Sequence, residues 1–119
     1  MSIKSKLITC GIICFILIGS LIFIFVGSLM QVQIDEDLVG CISKQATLYT
    51  QNGCLFCEKQ KKLFGGSYEN LSYIDCTKEE NLYNCTHTDL RATPTWVLNN
   101  GTSLIGVYEI KELKEMFKC

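Results

Sequence analysis

From Leu7 to Met30 the chain carries no charged side chain. The run is apolar on every face, so as a soluble helix it would have no polar side to turn toward water. At about 1.5 Å per residue it is long enough to cross a hydrocarbon layer of roughly 30 Å. This feature divides the chain. Residues 7–30 are expected as a transmembrane anchor and residues 1–6 as a cytoplasmic N-terminus, with any water-facing domain following. Lys4 and Lys6 precede the run, while Asp35, Glu36 and Asp37 follow it. By the positive-inside rule the remainder lies in the periplasm, a lumen or the exterior. The rival is a cleaved signal peptide, but the run exceeds an h-region of about 7–15 residues and no A-x-A-like site follows. An uncleaved signal-anchor is therefore expected. Gly11, Gly19 and Gly27 advance about 80° per eight-residue step and share no helix face. Cys10 and Cys14 fall inside the span and read as inert small apolar residues.

Beyond the anchor, cysteine usage becomes informative. The 119 residues hold eight cysteines and a net charge of −1. No basic stripe follows the anchor, so nucleic-acid binding is not expected. Outside the cytoplasm such cysteine density points to disulfides, whereas in a reducing compartment it would point to metal. Residues 31–45 begin polar and acidic and read as a linker, and residues 46–119 read as the folded domain.

In that domain Ala46–Thr50 is rich in strand formers and is broken by Gln51-Asn52-Gly53. Cys54 to Phe64 reads as a helix with Phe56, Leu63 and Phe64 on one side, stopped by Gly65-Gly66. Leu71–Asp75 reads as a second strand, parallel to the first in a βαβ unit. Thr77–Leu90 is polar, with a short helix and a loop as its reading. Thr95–Leu98 is a third strand, Asn99-Asn100-Gly101 a hairpin turn and Ser103–Tyr108 the returning strand. Ile110, Leu113, Met116 and Phe117 fall at helical spacing. The fold class is α/β, in the order β-α-β-β-β-α.

Cys54-x-x-Cys57 stands where the first strand meets a helix N-terminus. Free backbone N–H groups and the helix dipole favour a thiolate there, and the thiolate is the nucleophile. Cys54, nearer the helix tip, is assigned the attack, and Cys57, one turn in, resolves the mixed disulfide. A zinc site would need a second pair at suitable spacing. Cys76 and Cys85 lack that spacing, and the single histidine, His87, lies in the polar stretch. No metal and no cofactor are therefore expected.

Together these residues resemble the thioredoxin superfamily: strand, Cys54-Leu55-Phe56-Cys57, helix, strand, then Thr93-Pro94-Thr95. The resemblance implies a minimal thioredoxin-like, glutaredoxin-like domain in which Thr93 and a cis Pro94 form a substrate-binding loop facing the cysteine pair. A closer similarity is to the thioredoxin-like domain fused to bacterial homologues of vitamin K epoxide reductase. It is carried by Leu48-Tyr49, Cys54-x-x-Cys57-x-x-Gln60-Lys61, Leu63-Phe64-Gly65, Tyr73-Ile74-Asp75-Cys76, Cys85-Thr86 and Thr93-Pro94-Thr95-Trp96. It implies a Cys76–Cys85 pairing and, because no reductase is fused here, a separate quinone-linked membrane partner. The chain departs from the family in Leu55-Phe56, neither of which can donate a side-chain hydrogen bond to the Cys54 sulfur. The longer N-terminal strand and helix of thioredoxin also look absent.

The implied activity is exchange of disulfides with protein dithiol or disulfide substrates, in either direction. Its rivals are a redox-inactive binding or holdase module on the same fold and a metal-binding CxxC module. A Cys76–Cys85 bond reads as structural, and a second relaying redox pair is the sharper alternative. Cys41 and Cys119 either pair or stay free, since six cysteines outside the span allow fifteen full pairings. Asn70-Leu71-Ser72, Asn84-Cys85-Thr86 and Asn100-Gly101-Thr102 match the glycosylation sequon, which matters only in a eukaryotic host. His87 reads as a solvated loop residue and Trp96 as core. Asp75 is either a proton acceptor near the cysteines or a solvated strand end.

Overall fold

The computed structural model describes residues 2–29 and 34–119, as two units. The first is helix α1, Ile3–Leu29, 27 residues long. It is long and apolar enough to cross a membrane. It begins before Leu7 and takes in Lys4 and Lys6, as expected for good helix formers whose long side chains extend toward water. Met30, the expected end of the anchor, lies outside the described residues, as do residues 31–33.

The second unit is mixed α/β. Its elements are α2 (Glu36–Ser43), β1 (Ala46–Thr50), α3 (Leu55–Phe64), β2 (Tyr73–Asp75), α4 (Leu82–His87), β3 (Thr95–Leu98), β4 (Ser103–Ile105) and α5 (Ile110–Met116). The four strands form one sheet in the order β2-β1-β3-β4. β1 runs parallel to β2, with Leu48 opposite Tyr73, and antiparallel to β3, with Leu48 opposite Trp96. β3 and β4 are the expected antiparallel hairpin. Its turn is closed by Leu98 N–H on the Thr102 carbonyl at 2.8 Å and uses Gly101 at φ +87°. β4 stops at Ile105, short of the expected Tyr108. Gly106 turns the chain at φ +117°, and its N–H bonds the Pro94 carbonyl at 2.9 Å.

The core gathers Val39 and Ile42 of α2, Leu48 of β1, Phe64 of α3, Trp96 of β3, and Leu113 and Phe117 at the chain end. Phe64 and Trp96 meet with ring centroids 5.9 Å apart. Trp96, 0% exposed, is core as expected.

The linker expected over residues 31–45 is corrected from Ile34 onward, because this stretch belongs to the folded body. The acidic triplet is a helix start. Asp35 is the N-cap and accepts from Asp37 N–H at 3.1 Å, while Glu36 and Asp37 occupy the first turn. Carboxylates there meet free N–H groups and the positive end of the helix dipole. Behind them Ile34, Val39 and Ile42 are buried. A helix thus precedes β1, where the reading expected none. It is bound to the chain end by the Cys41–Cys119 disulfide, 78 residues apart in sequence. The Gln45 amide reinforces that tie by donating to the carbonyls of Cys41 and Phe117 at 3.3 and 3.0 Å.

In α3 the buried face is Cys57, Gln60 and Phe64. Phe56 is 61% exposed, contrary to its expected place on the apolar side. A face spaced by three and four residues from Cys57 turns Phe56 outward. The helix ends at Gly65, φ +54°, as the paired glycines predict.

Candidate active site

β1 ends at Thr50 and the chain turns sharply, with Cys54 N–H on the Gln51 carbonyl at 3.3 Å and Gly53 at φ +78°. The turn delivers Cys54 to the N-cap of α3, where its sulfur accepts the Cys57 N–H at 3.2 Å. The two cysteines form a disulfide, with Cα atoms 5.2 Å apart. Cys54 is half-buried and Cys57 is 3% exposed, so only the first is open to an incoming chain. Leu55 and Phe56 project beside it, 78% and 61% exposed.

The second wall is the loop before β3. The Thr93–Pro94 peptide is cis and Pro94 is buried. Thr95 Oγ1 donates to the Ala92 carbonyl at 2.7 Å, and the Pro94 carbonyl is held by Gly106. This bracing sets Thr93 against Cys54. The Thr93 hydroxyl oxygen lies 3.6 Å from the Cys54 sulfur and its carbonyl oxygen 3.4 Å from it. On reduction the hydroxyl can donate to a thiolate, while the carbonyl can accept the proton of a thiol. Two donors, the Cys57 N–H and the Thr93 hydroxyl, thus converge on one sulfur at a helix N-terminus. That arrangement favours its anionic form. The donor missing from Leu55-Phe56 is supplied across the site by Thr93. Sequence spacing carries no signal for this contact.

Gln60 lies outside the site residues expected from the sequence. It is 0% exposed, one turn beyond Cys57. Its Nε2 donates to the Tyr108 carbonyl at 3.0 Å, and its Oε1 accepts the Tyr108 N–H at 2.8 Å. This two-point clamp fixes the helix bearing Cys57 against the segment before α5. The available signal was a polar residue spaced to share the face of Cys57 and Phe64.

Behind Cys57 lies a polar cleft of about 130 Å³, lined by Thr50, Cys57, Glu58, Lys61, Tyr68 and Asp75 among others. Asp75 accepts from the Thr77 hydroxyl at 2.5 Å and from its N–H at 2.9 Å. These two bonds, the hydroxyl first, hold its carboxyl below the ordinary range. Of its two readings, the geometry favours the strand-end turn over a poised proton acceptor. Burial raises the Tyr68 phenol above its ordinary range.

Cys76 and Cys85 are bonded, in the pairing the resemblance implies. They border a groove of about 280 Å³ that also holds Gln51, Arg91, Ala92 and Thr93. His87 is exposed and stacked on Tyr83 at 3.9 Å. Among the described residues, no three of His, Cys, Asp and Glu gather as a metal-ligand set. No protein-family model matches the chain.

Proposed function

We propose that this chain is a membrane-anchored thiol–disulfide oxidoreductase of thioredoxin-like fold, with Cys54 as nucleophile and Cys57 as resolving thiol. The observation that carries the reading is the half-exposed Cys54 sulfur at the N-cap of α3, facing Thr93 and backed by buried Cys57. The sheet order β2-β1-β3-β4, with β1 parallel to β2 and the cis Pro94 loop opposite the cysteines, supports the fold assignment.

In the reducing direction the Cys54 thiolate attacks one sulfur of a substrate disulfide. The Cys54–substrate bond forms, the substrate S–S bond breaks, and the other substrate sulfur leaves as a thiolate. The Cys57 thiolate then attacks Cys54, closing the Cys54–Cys57 bond and freeing the second substrate sulfur. Two electrons pass to the substrate, and the protons released by the two cysteines balance those its thiols take up. In the oxidising direction each step reverses. The chemistry resides in the thiols. Thr93 orients the sulfur, and the Thr93–Pro94 loop would receive an extended substrate chain. α1 would hold the domain on the non-cytoplasmic side, where a quinone-linked, vitamin K epoxide reductase-like membrane protein would exchange electrons with the pair.

The test is the reduction potential of the Cys54–Cys57 pair in the full chain in detergent, equilibrated against glutathione, beside a Cys54→Ser control. A potential of about −120 to −180 mV makes the protein an oxidant or isomerase, and about −270 mV a reductant. A pair that does not exchange at all ends the enzymatic reading in favour of a binding module.

A further inference from the structure

Two Asn-Gly dipeptides follow the anchor, Asn52-Gly53 and Asn100-Gly101. In such a pair the main-chain nitrogen of glycine can attack the asparagine amide carbon, because glycine adds no side chain to obstruct a five-membered ring. Both pairs lie in exposed turns. Both glycines are left-handed, at φ +78° and +87°, with open space where a Cβ would stand. They differ in what holds the reacting groups. The Gly101 N–H donates to the Leu98 carbonyl at 2.9 Å, and Asn100 Oδ1 accepts the Thr102 N–H at 2.9 Å. Among the described residues, neither the Gly53 N–H nor the Asn52 side chain has a hydrogen-bond partner. The Asn52 turn is tied instead through its neighbours, by Cys54 N–H on the Gln51 carbonyl at 3.3 Å.

We propose that Asn52 is a spontaneous modification site whose conversion changes the environment of Cys54. The Gly53 nitrogen bonds to Asn52 Cγ, and the amide nitrogen leaves as ammonia, taking the proton that the Gly53 nitrogen gives up. Water then opens the succinimide to aspartate or isoaspartate, with no change of oxidation state. Either product places a carboxylate two residues before Cys54. Isoaspartate also inserts a methylene into the main chain of the turn that presents the sulfur. A new negative charge there opposes the thiolate. The consequence for catalysis rests on the proposed thiol chemistry, whereas the conversion itself does not.

The experiment ages the full chain in detergent micelles at neutral pH and follows both asparagine peptides by mass, with isoaspartate identified by enzymatic methyl transfer. Asn52 is expected to convert about tenfold faster than Asn100, the factor for freeing one backbone hydrogen bond. Equal rates, or faster conversion at Asn100, overturn the proposal. In parallel the Cys54–Cys57 pair is reduced and alkylation of Cys54 by iodoacetamide is timed. The aged protein is expected to react severalfold more slowly than fresh protein, while Asn52→Gln aged alongside keeps its own fresh rate. An equal loss in Asn52→Gln overturns the link to Cys54. Alkylation needs no substrate, so a protein that alkylates yet fails to exchange disulfides defeats only the oxidoreductase reading.

Discussion

The Thr93 hydroxyl oxygen lies 3.6 Å from the Cys54 sulfur, across 39 residues of sequence. The site is therefore shared between two distant segments, one supplying the nucleophile and the other a donor to it. Replacing Thr93 by Val keeps the shape and removes the donor. Alkylation of reduced Cys54 at neutral pH is expected to fall about fivefold, equivalent to roughly 1 kcal/mol of lost thiolate stabilisation. The rate–pH profile should move to higher pH. An unchanged profile would mean that the hydroxyl does not act on the sulfur.

Gln60 makes its two bonds to Tyr108 from a position with no solvent access. Gln60→Leu leaves the Tyr108 N–H and carbonyl without these partners and should cost about 2–4 kcal/mol. Urea denaturation of the full chain in detergent measures this. A loss below about 0.5 kcal/mol, the range of ordinary surface changes, would show that the clamp carries no weight.

Removing a disulfide should separate stability from reactivity. In the loop-entropy account, the Cys41–Cys119 bond, 78 residues apart, contributes about 4.5 kcal/mol and the Cys76–Cys85 bond, 9 apart, about 2.5 kcal/mol. The double replacement Cys41→Ser with Cys119→Ser should thus lower the denaturation midpoint more than Cys76→Ser with Cys85→Ser. Exchange at Cys54 should persist in the first variant. If exchange ceases in the second while the fold survives, the Cys76–Cys85 pair takes part in electron transfer.

Asp75 gives the acid limb of stability a definite sign. Its folded carboxyl is held below the ordinary 3.8 by the Thr77 hydroxyl and N–H. A depressed folded value contributes stability that is fully present above 3.8, and so at neutral pH. That contribution is lost as pH falls below 3.8 through the folded value. Asp75→Asn should be less stable than the parent at neutral pH and should lose less on acidification. Parallel stability–pH curves for the two proteins would exclude this role.

Local features were legible wherever the cause lies within a few residues. The charge-free run predicts α1, and Gly65 stops α3. Asn99-Asn100-Gly101 makes the hairpin, and Cys54 stands at the helix tip. Two local readings failed for a local reason. The acidic triplet at Asp35 resembles a solvated linker by composition, although as an N-cap and first turn it opens α2, with Val39 and Ile42 behind it. Phe56 looks like core by type, yet α3 buries Cys57, Gln60 and Phe64 instead.

The sequence by itself determined the long apolar helix, the order of strands and helices from Ala46 onward and the position of the cysteine pair. Each of these follows from periodicity, capping and turn chemistry over short spans. Only the tertiary structure decided that Cys41 meets Cys119, that Gln60 grips Tyr108 and that, within the loop the resemblance set opposite the cysteines, the Thr93 hydroxyl is the group that reaches the Cys54 sulfur. Such contacts close loops of dozens of residues. Their entropic cost is met by the whole core together, so no short stretch of sequence encodes which partner each residue finds.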